Sequence, residues 1–102
     1  MSAWPGYLFH DAQLSVVYID WSAGTAYLHF VPNQAFPDQP HILEAHGLRH
    51  AECPRRHDWG PTASVLETSG PELASDDDSR LVISMQSGDS IVLVATEFVR
   101  AR

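Results

Sequence analysis

Leu81-Val82-Ile83-Ser84-Met85-Gln86-Ser87-Gly88-Asp89-Ser90-Ile91-Val92-Leu93-Val94-Ala95-Thr96 is the stretch that decides the fold. Leu81, Ile83 and Met85 alternate with Val82 and Ser84, and Ile91, Leu93 and Ala95 alternate with Val92, Val94 and Thr96. A period of two places each set on one face of a strand. Ser87-Gly88-Asp89-Ser90 is turn chemistry, so the stretch predicts a β-hairpin with a short glycine-containing loop.

Upstream of this hairpin the pattern repeats. Residues 8–20 read as a strand, with Leu14, Val16 and Tyr18 on one face and Val17 and Ile19 on the other. Apolar residues on both faces predict cover from both sides. Trp21-Ser22-Ala23-Gly24 reads as a turn and 25–31 as the returning strand. Residues 32–40 are a proline-rich loop. In 41–53, Gly47 and the following Pro54 oppose a long helix, and a strand with a bulge at Gly47 is the better reading. Residues 54–61 form a loop, 62–68 a short strand, and 69–79, with Asp76-Asp77-Asp78, a polar acidic loop. About six strands and no long helix predict one all-β domain over residues 1–102, an antiparallel sandwich or open barrel.

Composition narrows the function classes. The 102 residues are 44% hydrophobic and 19% charged, ordinary values for a globular chain. The net charge is -7, and every basic residue is arginine. Such a chain is repelled by phosphate backbones, so nucleic acid is not an expected partner, whereas a basic or amphiphilic partner is easier to accommodate. Residues 1–40 carry Asp11, Asp20 and Asp38 and no arginine. Cys53 is the only cysteine, which suits a reducing compartment. Met1–Gly6 has no basic n-region or apolar h-region, and the longest apolar run is Ile91–Ala95. The expectation is a cytoplasmic protein without a membrane partner.

Four places gather chemistry. His41, His46, His50, Cys53 and His57 have the composition of a zinc site. Zinc needs its donors to converge at about 2.0–2.3 Å. On a strand, His46 and His50 lie about 13 Å apart at roughly 3.3 Å per residue. A centre on His46, His50, Cys53 and His57 therefore needs a helix, or a loop that brings Cys53 and His57 back. Gly47 also replaces the glutamate that the helical zinc motif requires. The plainer reading is dispersed surface histidines. His10 and Asp11 could act as base and orienter, but adjacent strand residues point to opposite faces. The plainer reading there is a side chain that fixes a turn. Arg55, Arg56 and Trp59 lie in a loop stiffened by Pro61 and are residue types enriched at binding hot spots. Cys53 has no helix N-terminus to activate it, and the Asp76–Asp78 run lacks the ligand spacing of a calcium loop. No catalytic residue and no cofactor are expected.

Phe9-His10-Asp11-Ala12, the Arg56-x-x-Trp59-Gly60-Pro61 loop and Met85-Gln86-Ser87-Gly88-Asp89 together resemble a group of small bacterial domains. Those domains begin on F-H-D-A, carry W-G-P-S in the middle and end on a Q-S-G-D hairpin. The resemblance spans roughly residues 8–98, and Thr62 stands where the pattern has serine. Some F-H-D-A proteins are similar to immunity proteins of bacterial contact-dependent toxin systems. The resemblance implies a non-enzymatic protein that neutralises a toxin by binding it, and it transfers no catalytic residue. Binding at His10, Asp11, Arg55, Arg56 and Trp59 is the leading expectation. A zinc protein, a small-ligand binder near His10 and Asp11, and a homo-oligomer joined through His29 or the terminal strands are the rivals.

Overall fold

The computed structural model describes residues 3–36, 38–56 and 63–101. It is all-β: six antiparallel strands, β1 (Gln13–Asp20), β2 (Thr25–Val31), β3 (Ile42–Glu52), β4 (Val65–Leu73), β5 (Ser79–Met85) and β6 (Ser90–Ala101). They form one open sheet in the order β1-β2-β3-β6-β5-β4 rather than two packed sheets. Two three-stranded meanders are thus joined where β3 pairs with β6. The sheet curls until its edges touch at one end. There Gln13 bridges to Ser64, Leu14 donates its N–H to Ala63 (2.7 Å), and Val65 and Ala12 bond at 2.9 Å. Among the described residues no helix is long and apolar enough to cross a membrane.

The concave face holds the core. Ala26, Leu28 and Phe30 of β2, Leu43 and Ala45 of β3, Leu81 and Ile83 of β5, and Ile91 and Leu93 of β6 are buried by the alternation read from the sequence. The hairpin closes as expected: Ser84 pairs with Ser90, and Gly88, at φ 104°, takes the positive backbone angle that other residues avoid. Residues 41–53 are strand rather than helix. Gly47 sits at φ 66°, and the register shifts between Leu48 and His50. Inward positions change parity here on both strands, from Ala45 to Leu48 on β3 and from Ala95 to Phe98 on β6. Gly47 and Thr96 meet at the kink, where Thr96 Oγ1 donates to the His46 carbonyl at 2.9 Å.

Three expectations are corrected. Residues 8–12 are turns rather than strand: Leu8, His10 and Ala12 donate to the carbonyls of Pro5, Tyr7 and Phe9, and Asp11 adopts φ 61°. The acidic loop is shorter than 69–79, because β4 runs on to Leu73 and only 74–78 turn the chain. Gly70-Pro71 breaks a central strand pattern, but β4 is an edge strand with a register shift between Ser69 and Glu72, where proline is tolerated. The third concerns β1, which is not covered from both sides: Val16 and Tyr18 on its convex face are 50% and 56% exposed.

Candidate binding surfaces

Phe9-His10-Asp11-Ala12 is a tight turn pinned at both ends. Phe9 and Ala12 are fully buried, and the Phe9 ring lies 4.5 Å from that of Phe30. That burial forces the intervening pair outward and Asp11 into the left-handed region, which aspartate tolerates better than most residues. Gln86 Nε2 donates to Asp11 Oδ1, and Gln86 N–H donates to the Ser64 carbonyl at 3.0 Å. Phe9-His10-Asp11-Ala12 and Met85-Gln86-Ser87-Gly88-Asp89 therefore meet in space across 75 residues. Gln39, buried in the proline-rich loop, donates to the His10 carbonyl at 2.7 Å and accepts from Asn33 N–H at 2.9 Å.

His10 and Asp11 are brought together, but not as base and orienter. His10 Nδ1 lies 2.7 Å from the Leu66 carbonyl, which can only accept, so the proton sits on Nδ1. Asp11 Oδ2 approaches the other nitrogen, Nε2, at 3.5 Å. The carboxylate thus occupies the side from which a general base would take its proton. The two side chains lie half-exposed on the turn and form an ion pair only when His10 is protonated. Beside it lies a cleft of about 280 Å³ lined by Tyr7, Leu8, Ala35, Phe36, Asp38 and Gln39. His10 borders it through an edge-on contact with Phe36, centroids 6.4 Å apart.

The third motif element works on the loop after β3. Asp89 is buried, accepts from Arg56 N–H at 3.2 Å and from Ser87 Oγ at 3.4 Å, and so anchors residues 54–56 to the hairpin turn. Arg55 and Arg56 are exposed. Arg55 lines a second cleft, about 260 Å³, with Leu14, Val16, Val17, Cys53, Ala63 and Ile91. Cys53 borders the same cleft, and burial there raises its thiol pKa, the direction opposite to activation. Trp59 and His57 lie outside the described residues.

The histidines of β3 are placed as a strand places them. His46 Nε2 is 3.7 Å from Glu44 and His50 Nε2 is 3.3 Å from Glu52, each a same-face neighbour two residues away. Among the described residues no three histidine, cysteine, aspartate or glutamate side chains converge as a metal site. The helix that His46 and His50 needed for zinc is not formed. The returning loop would involve His57.

Sequence reasoning missed an exposed apolar surface. On the β1–β2 hairpin Val16, Tyr18, Trp21 and Val31 are 50%, 56%, 65% and 54% exposed. Register puts Val16, Tyr18, Tyr27, His29 and Val31 on the convex face, with the Tyr18 and Tyr27 rings 6.3 Å apart and Tyr27 and His46 6.4 Å apart. The signal was in the sequence: a both-faces-apolar strand is either covered or an exposed patch, and only tertiary position separates the two. No family model, curated protein or solved structure matches this chain.

Proposed function

We infer that the protein is a non-catalytic binding domain of the immunity type, which neutralises a basic protein toxin by covering it. The supporting observation is the contiguous apolar and aromatic face of β1 and β2, on which Asp20 is the only carboxylate or arginine. Exposed tyrosine and tryptophan with a few flanking arginines is the composition of interface hot spots. Arg55 reaches this face through the cleft it shares with Val16, so Arg55 extends the same surface, with the exposed Arg56 next to it in the chain. The net charge of -7 supplies long-range attraction to a cationic partner.

The test is affinity capture with the wild-type chain beside two folded variants, Tyr18→Ser/Trp21→Ser and Arg55→Ala/Arg56→Ala. A basic protein retained by the wild type and depleted about tenfold or more with either variant supports the reading. Protection of cells against that protein by co-expression then establishes immunity. Equal recovery with all three baits overturns it. The cleft at Tyr7 and Phe36 favours a second reading, a small apolar ligand held beside His10. Phe36→Asp would abolish such binding without altering protein capture.

A further inference from the structure

The edge of β1, as distinct from its face, carries a separate inference. Phe30 N–H bonds to the His41 carbonyl, so Phe30 directs its backbone at β3, and its partner Leu14 directs its own away from β2, to Ala63. Antiparallel ladders alternate. Leu28 and Ala26 share the parity of Phe30, so their partners Val17 and Ile19 also turn their N–H and C=O groups away from β2. Among the described residues nothing pairs with them. Natural sheet edges are guarded by lysine, proline, inward-pointing charge or a β-bulge. Between Val16 and Ile19 this edge has none of these, the bulge of β1 lying before that stretch, between Leu14 and Val16.

We propose that β1 pairs antiparallel with β1 of a second copy, about a two-fold axis through Tyr18. The two outward-facing residues flank Tyr18 symmetrically. A second strand run antiparallel therefore sets Val17 opposite Ile19 and Ile19 opposite Val17, and all four N–H groups find carbonyls. Tyr18 then faces Tyr18 at the closely spaced non-hydrogen-bonded position, where side chains touch. On the concave side Val17 meets Ile19, which gives a partner to an isoleucine that the monomer leaves 39% exposed. Charge fits a second copy as occupant. Asp20, the only charge on the strand, lies opposite Val16 rather than its own counterpart, and its carboxylate is held by Ala23 N–H at 3.1 Å. The contact is isologous and closes at two copies. It leaves the convex face open and doubles its width, so it does not rest on the function proposed above.

A short strand-to-strand contact belongs to the small end of interface sizes, where association is weak and transient. Sedimentation of the wild-type chain from about 1 µM to 1 mM should show a transition to twice the monomer mass. Tyr18→Lys sets two ammonium groups opposite each other and should raise the dissociation constant at least about tenfold, with the fold unchanged by circular dichroism. Cysteine scanning reads the register, in a Cys53→Ser background. Tyr18→Cys should form an intermolecular disulfide on mild oxidation, since directly opposed residues there lie about 4.5 Å apart. Val16→Cys and Asp20→Cys, each about 13 Å from its own copy at roughly 3.3 Å per residue, should not. A chain monomeric to 1 mM overturns the proposal, as does cross-linking at positions 16 and 20 as efficient as at 18.

Discussion

Replacing Gly47 by alanine tests the kink that joins the two halves of the sheet. Gly47 lies at φ 66°, where an alanine costs about 1–2 kcal/mol through its β-carbon alone. That β-carbon would also stand 2.1 Å from Thr96 Oγ1, 3.0 Å from Cγ2 and 3.1 Å from Cβ. Separations that short force Thr96 or its strand to move, at a further cost of about 1–3 kcal/mol. Alanine stiffens the unfolded chain and returns about 0.4–1 kcal/mol. The net expectation is a loss of about 3 kcal/mol, or on the order of 15 °C in melting temperature for a domain of this size. Chemical denaturation of Gly47→Ala, Thr96→Ala and the double variant separates the parts. Thr96→Ala removes the two nearer side-chain atoms, so the double variant should be more stable than the summed single effects by about 1–3 kcal/mol. A Gly47→Ala loss below about 1 kcal/mol, or additivity within about 0.5 kcal/mol, refutes the steric account.

Three further outcomes are expected. Asp89→Ala strips a buried acceptor from Arg56 N–H and Ser87 Oγ and should cost about 1–3 kcal/mol in urea unfolding, with faster proteolysis after Arg55 or Arg56; unchanged cleavage would mean the loop is held by other contacts. Gln86→Ala and Asp11→Ala should each cost about 1 kcal/mol and show a coupling near that size in a double-mutant cycle, because they remove the same exposed bond. Cys53, raised above its ordinary value of 9.0 by burial, should react with a disulfide reagent more slowly at pH 8 than a free thiol. Its contribution to stability is complete below the unfolded thiol's pKa and is lost as pH climbs through the folded one, so Cys53→Ser should flatten the decline in stability at alkaline pH; half-maximal reactivity at or below the pH found for a free thiol would contradict this.

The hairpin at 81–96 was legible because two apolar alternations flank an unambiguous turn. Residues 41–53 were legible as strand because Gly47 and Pro54 disfavour the alternative. Phe9 to Ala12 was misread because two buried residues three apart in a turn resemble a broken alternation, and the left-handed Asp11 leaves no mark in composition. β4 was read short because Ser69-Gly70-Pro71 is a stop signal everywhere except on a sheet edge. The contacts that explain the motifs, Asp11 with Gln86 and Asp89 with Arg56, span 75 and 33 residues and belong to tertiary structure. The Glu44–His46 and His50–Glu52 pairs were within reach of sequence, since a period of two sets them side by side once a strand is accepted.

The crossing of Gly47 and Thr96 bears on how the chain finds its alignment. Each meander forms from neighbouring strands, but β3 must select its register on β6 from a distance, and both are long and apolar enough to pair in several ways. Away from the kink, a slip of two residues keeps apolar side chains on their own faces, so hydrophobicity there discriminates poorly against it. It would set Thr96 opposite Ala45 or Arg49, where a β-carbon stands in place of the bare glycine backbone. The kink therefore works as a key with one cut. Alignment over eleven residues of β3 is specified at a single tooth, and the two halves of the sheet engage only where it fits.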